Sequence, residues 1–110
     1  MPTVNIFYNN QEHLQAARAK TNGIKSFIAK ELTCGDIVLT PEEISIRLIN
    51  VTNTDMISEL EVEVTAHAFD ERIQRQDEIC NSIRKYLLSN IEVKDARVWL
   101  LLPQLGHSWD

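Results

Sequence analysis

The sequence is poor in the residues that build covalent or flexible frameworks. Among its 110 residues there are two cysteines, three glycines and three prolines. Two cysteines without a CxxC motif argue against a disulfide scaffold or a zinc site, so we expect Cys34 and Cys80 to be reduced thiols in a cytosolic protein. With so few glycines there is also no Gly-rich phosphate-binding loop.

Basic residues are the minority charge, with 11 against 16 acidic residues and a net charge of −5. Nucleic-acid binding generally needs a basic stripe, and none is present. No apolar run approaches the roughly 20 residues that cross a bilayer, and no signal-like segment starts the chain. We therefore expect a cytoplasmic protein with neither a nucleic-acid nor a membrane partner.

The first half of the chain reads as strand, helix and strand. Residues 3–8 (TVNIFY) form a short β-branched and aromatic run that predicts a strand. Asn10 can cap a helix over residues 11–32, where apolar residues follow helical spacing. Thr21, Asn22 and Gly23 weaken its middle, so the sequence allows a kink or a broken helix there. A second strand is predicted over residues 44–51.

The second half repeats this order. Residues 60–68 alternate between apolar side chains and mostly polar ones, which is typical of a half-buried strand. Asp70 is the predicted cap of a helix over residues 71–89, and a last strand is expected over residues 96–102. The prediction is a single α+β domain over residues 1–110, with two βαβ units (halves of about 2–51 and 59–103) forming a four-stranded mixed sheet with two helices on one face. Phe7 and Trp99 are expected in its core.

Pro2 is the first candidate for chemistry. Removal of the initiator Met would leave a secondary amine there, and the ordinary pKa of an α-amino group is about 7.7–8.0. An apolar site near cationic groups would lower that pKa further, which makes a neutral proline nitrogen a competent general base near pH 7. Taken alone, Pro2 is more simply an inert start to a strand.

A Met-Pro start that leads into a strand, within a double βαβ chain, resembles the tautomerase superfamily. The stretch IRLINVTNTDM, followed by ELEVEVTAHAF and DERIQRQDEICNSIRKYLL, is similar to the branch containing 5-carboxymethyl-2-hydroxymuconate isomerase and macrophage migration inhibitory factor. The resemblance implies a cofactor-independent and metal-independent isomerase that moves a proton on a small enolisable carboxylate, with Pro2 as the base. It also implies a homotrimer, with a tail around residues 106–109 that packs on a neighbouring subunit.

The same resemblance implies that arginines hold the substrate carboxylate. Arg72, at the start of the second helix, matches one such position, and Arg47 lies two residues from another. Two residues along a strand keep the same face, so the role can survive the displacement. The alternatives are a solvent-facing Arg72 and an Arg47 that pairs with Glu61 or Glu63.

Two other readings stay open from the sequence. One is a non-catalytic oligomeric interaction or ligand-binding domain of the same fold, in which Pro2 is incidental. The other is a ferredoxin-like binding module, which shares the βαββαβ order. In that fold each βαβ unit leaves a gap for another strand, whereas a tautomerase half pairs its two parallel strands directly.

Overall fold

The computed structural model describes residues 2–52 and 55–103, and the strands in this part form one mixed sheet. They are β1 (Thr3–Tyr8), β2 (Ser45–Asn50), β3 (Leu60–Thr65) and β4 (Ala96–Leu101), in the spatial order β2-β1-β3-β4. The expected tail at residues 106–109 lies outside the described residues.

The helical segments that connect these strands are α1 (Gln11–Ala19), α2 (Thr21–Leu32), α3 (Asp70–Gln74) and α4 (Gln76–Asn90). A turn of 3₁₀ helix at Pro41–Glu43 leads into β2. The predicted asparagine cap is confirmed, because the Asn10 side chain accepts a hydrogen bond of 2.7 Å from the Glu12 N–H.

The sheet pairing decides between the two topologies that share this element order. β1 lies parallel to β2, β3 lies parallel to β4, and the two halves meet where β1 runs antiparallel to β3. Each half therefore pairs its own two strands directly and leaves no gap. The α+β prediction of two βαβ units in a four-stranded mixed sheet is confirmed, and the ferredoxin-like alternative is wrong.

Alternation along the strands gives the sheet one buried and one open face. Val4, Ile6, Val62 and Val64 are fully buried and share one core cluster with the apolar residues of the helices. The side chains at the other positions form what we call the open face: Thr3, Asn5, Phe7, Ser45, Arg47, Ile49, Glu61, Glu63, Thr65, Arg97, Trp99 and Leu101. The expectation that Phe7 and Trp99 are core residues is wrong, since both lie on this face, where Phe7 is half-buried and Trp99 is 41% exposed.

Both predicted helices are broken in two. The first breaks at Lys20, where the Thr21 hydroxyl donates to the Arg18 carbonyl at 3.0 Å and so competes with the helical bonding pattern. The second breaks at Arg75, whose φ of −102° and ψ of 15° are not helical. The N-cap of α3 is Phe69, without a side-chain hydrogen bond, rather than Asp70. β3 ends at Thr65, three residues before the predicted end of that strand.

Candidate functional site

Pro2 lies buried immediately before β1, where several strand ends meet. Its carbonyl accepts a hydrogen bond of 3.2 Å from the Ser45 N–H at the start of β2. The next residue, Thr3, lies between Ser45 and Thr65, the last residue of β3. Pro2 is thus held at the end of the sheet where β1 and β2 begin and β3 finishes.

The Arg72 side chain connects α3 by hydrogen bonds to the end of α2 and to the segment after β3, near this end of the sheet. Arg72 is the third residue of α3 and is 3% exposed. Its Nε donates to the Leu32 carbonyl at 2.9 Å, and its Nη1 donates to the His67 carbonyl at 3.0 Å. Leu32 is the last residue of α2, so the first bond satisfies a carbonyl that has no partner within its helix. The alternative in which Arg72 faces solvent is therefore wrong.

The Arg72 guanidinium is a buried cation without a matching acid. Among the described residues no carboxylate oxygen lies within 4.0 Å of it. Burial lowers its pKa from the ordinary value, and the electrostatic interaction with the Cys34 side chain acts in the opposite direction. An arginine nevertheless keeps its charge in proteins. The Phe69 ring, whose centroid is 4.8 Å from Cζ, supplies a further favourable contact for that charge.

Arg47 lies on the other side of the sheet. It is exposed on the open face, beside Asn5 in the β1–β2 register, and makes no ion pair with a described residue. The Oδ1 atom of Asn5 is buried and has no hydrogen-bond partner in the part of the chain described. The structure therefore places Pro2 and Arg72 at one end of the sheet and does not bring Arg47 to them.

A second polar pair lies at the opposite end of the sheet. The Nε2 atom of His13, the third residue of α1, is 3.5 Å from the carboxylate of Glu59, which directly precedes β3. The same carboxylate accepts a hydrogen bond of 2.8 Å from the Lys94 N–H, and the pair lines a cavity of about 820 Å³. In the sequence, His13 stands out only as a possible metal ligand without suitable spacing to the other histidines. The sequence does give one indication of this position. His13 follows the predicted Asn10 cap by three residues, which places it in the first turn of the helix, close to the end of β1.

The described residues offer neither a metal site nor a membrane span. No group of three or more His, Cys, Asp or Glu side chains among them is arranged to hold a metal ion. Within the same part of the chain, no helix has the length and apolar character that a membrane span requires.

Comparison with known proteins gives a clear result for the fold. No family model matches the sequence, and no curated protein is significantly similar to it. A macrophage migration inhibitory factor-like protein from Entamoeba histolytica aligns over 97% of this chain and 95% of its own, with a TM-score of 0.68 and 5% identity. A fused 4-oxalocrotonate tautomerase, described as a symmetric trimer, aligns over 96% and 91%, with a TM-score of 0.63 and 14% identity.

A third solved structure is a malonate semialdehyde decarboxylase inhibited by 3-bromopropiolate. It aligns over 97% of this chain and 89% of its own, with a TM-score of 0.62 and 13% identity. Identities this low carry information about the fold and not about the site. These structures all share the double βαβ architecture described above.

Proposed function

From the tautomerase-superfamily fold of this chain, we propose that it is a cofactor-independent isomerase that moves a proton on a small enolisable carboxylate. The nitrogen of Pro2, freed by removal of Met1, is the general base in this proposal. The single observation that carries it is the position of Pro2, buried at the meeting of three strand ends, with the buried cation of Arg72 bonded to the segment that follows β3.

The position of Pro2 favours a neutral amine. Desolvation disfavours the protonated form of an amine, and so does a nearby positive charge. Pro2 is buried, and Arg72 is a cation that no described carboxylate neutralises. The burial of Pro2 acts in the direction that a base working near pH 7 requires, and the Arg72 cation lies at the same end of the sheet.

The proposed reaction needs no oxidant, reductant or leaving group. In ketonisation of an enol, the proline nitrogen takes the proton from the enol oxygen. The carbon–oxygen double bond forms, and the electrons of the carbon–carbon double bond take up at carbon the proton that the protonated proline nitrogen releases. The proton count of the product equals that of the substrate, and the amine ends neutral.

The carboxylate of the substrate needs a cation near Pro2. Arg72 has five N–H donors, two of which are used on backbone carbonyls, so donors remain for an anion. A solved neighbour of the same fold is a decarboxylase of malonate semialdehyde, a small acid. Arg47, on the other face of the sheet, is the weaker candidate for a second anion holder.

We also propose that the protein works as a homotrimer. The open face carries Glu61 and Glu63, neither of which has an ion pair among the described residues. Glu61 and Glu63 line a cavity of about 330 Å³ together with apolar side chains that include Phe7, Trp99 and Leu101. A solved neighbour of the same fold is described as a symmetric trimer. A face of this composition is suited to contact with other copies of the chain.

One observation favours a second function, a non-catalytic oligomeric binding domain. The Arg72 side chain has a complete structural task, because it satisfies two carbonyls and contacts Phe69. An arginine present for that reason alone would leave Pro2 without a dedicated anion holder. Assembly without turnover is the outcome that this second function predicts.

The test starts with intact-mass spectrometry, which should show that Met1 is absent from the native protein. Ketonisation of phenylenolpyruvate, followed by absorbance, should exceed the uncatalysed rate. Pro2→Ala leaves a primary and more flexible amine, and its kcat should fall by about 10²- to 10⁴-fold, the usual contribution of a general base. Arg47→Gln is assayed beside it for an effect on KM.

The matched control is the same chain with one extra residue retained before Pro2, which turns its nitrogen into an amide. That form should fold normally and be inactive. Retention of Met1 in the native protein, or wild-type turnover by Pro2→Ala, would refute the catalytic proposal. A protein that assembles but accelerates no enol supports the binding domain instead.

A further inference from the structure

The cavity of about 820 Å³ at the end of the sheet opposite Pro2 is formed by helix ends and loops. Its walls are the first two turns of α1, Glu59 before β3, the last turn of α4 and residues 91–94, which lead into β4. The volume lies within the range of about 300–1,000 Å³ that is usual for ligand sites. None of the lining residues belongs to the open face, so contact between copies through that face does not involve this cavity.

The C-terminal end of α4 contributes backbone acceptors to this cavity. The Ile91 N–H donates to the Leu87 carbonyl at 2.8 Å. The carbonyls of the last three residues, Leu88, Ser89 and Asn90, accept no hydrogen bond from a described residue. Such carbonyls form the negative end of the helix dipole, and α4 has no basic residue in its last turn to offset it. This wall therefore favours a ligand that is positively charged and donates hydrogen bonds.

Glu59 adds a carboxylate whose position the fold fixes. Its Oε2 atom accepts the hydrogen bond of 2.8 Å from the Lys94 N–H, and the same atom lies 3.5 Å from His13 Nε2. The Nδ1 atom of His13 is buried and has no hydrogen-bond partner in the part of the chain described, so Nε2 is the one ring nitrogen that contacts the carboxylate. The Oε1 atom of Glu59 has no partner among the described residues. The carboxylate is thus held in place with one oxygen free for a ligand.

The remaining charges of the cavity act in the same direction. Glu12, Glu92 and Lys94 are exposed, and none of them makes an ion pair with a described residue. Together with Glu59 the lining has three carboxylates and one ammonium group, so it is acidic overall when histidine is counted as neutral. An anion is disfavoured in such surroundings. The cavity therefore suits a ligand opposite in charge to the carboxylate proposed for the Pro2 site.

We propose that this cavity binds a small organic cation, whose ammonium or guanidinium group donates to Glu59 and to the free carbonyls at the end of α4. The carboxylate supplies the charge, and the carbonyls select a cation with N–H donors over one without them. The apolar part of the ligand lies against Ala16, Leu88 and Val93, which line the same cavity. The site is separate from Pro2, and its test does not depend on turnover.

The experiment titrates the full-length ¹⁵N-labelled protein with n-butylammonium chloride at constant ionic strength. n-Butyltrimethylammonium chloride keeps the charge and the chain but has no N–H donor, and 1-butanol keeps the chain without the charge. n-Butylammonium should shift the Lys94 amide resonance, because that N–H is bonded to Glu59. It should bind about tenfold more tightly than either comparison compound, as expected for one charge-assisted hydrogen bond.

Two variants test the walls of the cavity separately. Glu59→Gln keeps an oxygen that can accept from the Lys94 N–H but removes the charge, so the affinity for n-butylammonium should fall about tenfold. Ser89→Trp replaces an exposed residue at the end of α4 with one large enough to fill the cavity, and it should abolish binding without a change of charge. Glu42→Gln, at an exposed position outside the cavity, is the matched control and should bind as the wild type does. Circular dichroism checks that each variant is folded.

Several results would overturn the proposal. They are the absence of binding at tens of millimolar n-butylammonium, equal binding of n-butyltrimethylammonium, shifts that leave the Lys94 amide unmoved, and full affinity in a folded Glu59→Gln or Ser89→Trp variant. Magnesium chloride provides the remaining comparison. If Mg²⁺ binds as tightly as n-butylammonium and displaces it, the site is a simple inorganic cation site and organic cations are not its ligands.

Discussion

Arg72 is a buried cation, and a buried cation is costly unless its surroundings compensate for it. Here the compensation comes from two backbone carbonyls, on different segments of the chain, and from an aromatic ring. The bonds also satisfy the carbonyls, since the Leu32 carbonyl lies at the end of α2 and has no hydrogen-bond partner within that helix. The residue therefore has a structural role that is independent of any substrate.

Replacement of Arg72 should reveal that role. Arg72→Ala removes two charge-assisted hydrogen bonds and leaves two carbonyls without partners, so the free energy of unfolding should fall by about 3 kcal/mol. Urea denaturation followed by circular dichroism measures the loss. Arg75→Ala is the matched control, because Arg75 makes partly exposed ion pairs with Glu78 and Glu31, and its loss should cost less than about 1 kcal/mol.

Equal losses in the two variants would contradict the structural role of Arg72. Arg72→Lys adds a second comparison, because lysine keeps the charge but cannot reach two carbonyls with a planar group. Sequence patterns single out Arg72 through a family resemblance but do not reveal these contacts. Leu32 and His67 are separated from it by 40 and 5 residues, and only the folded chain brings all three together.

At the scale of the elements, the contact between α2 and α4 depends on one small residue. A Cβ atom placed on Gly23 would lie 2.5 Å from the hydroxyl oxygen of Tyr86 but 3.9 Å from its Cζ atom. The Tyr86 ring is stacked on Phe27, with centroids 4.4 Å apart, so it cannot easily move aside. Gly23 thus allows two helices to approach where the sequence alone suggests only a weak point in a helix.

This geometry predicts that the effect of Gly23→Ala on the free energy of unfolding changes sign when the Tyr86 hydroxyl is removed. In the wild-type background, Gly23→Ala should lower the free energy of unfolding by about 1 kcal/mol, because of overpacking against the hydroxyl. In a Tyr86→Phe background the obstacle is gone, and the same change should raise it by about 0.5–1 kcal/mol through better helix formation. Urea unfolding of the four proteins gives the coupling energy. The same effect of Gly23→Ala in both backgrounds would show that the hydroxyl is not the obstacle.

Element type and order follow from the sequence because the apolar periodicity of each segment is strong. The buried and open sides of β3 match the alternation of Leu60, Val62 and Val64 with Glu61 and Glu63. The weak middle at residues 21–23 indicates a break close to Lys20, whereas no pattern indicates the break at Arg75. Both residues are good helix formers, and the break at Lys20 depends on the Thr21 hydroxyl turning back to the carbonyls of α1.

At the scale of the whole molecule, the open face is the side of the sheet that no helix of the same chain covers in the described residues. The sequence predicts its acidic residues correctly, but not that an aromatic ring lies among them. Trp99 reads as a core residue because its neighbours in β4 are apolar, and a strand that is apolar on both sides gives no alternation to follow. Contact with other copies would bury this face.

Sedimentation equilibrium at micromolar concentration should give about three times the 12.6 kDa of one chain. Leu101→Glu places a charge on the open face and should shift the protein to the single-chain mass. Ile73→Glu is the matched control, because Ile73 is also 48% exposed but lies on the helix α3. A wild-type protein that sediments as one chain, or a Leu101→Glu variant that stays assembled, would rule out the open face as the interface.

The antiparallel seam between β1 and β3 relates the two halves of the chain as a pair, each contributing one inner and one outer strand. Under this relation Glu59 before β3 is the counterpart of Pro2 before β1, and His13, third in α1, is the counterpart of Arg72, third in α3. A residue in mid-chain has an amide nitrogen, so position 59 can never supply an amine base. The two halves therefore keep a common backbone arrangement while equivalent places in them carry different charges, with Glu59 and His13 in one set and Pro2 and Arg72 in the other.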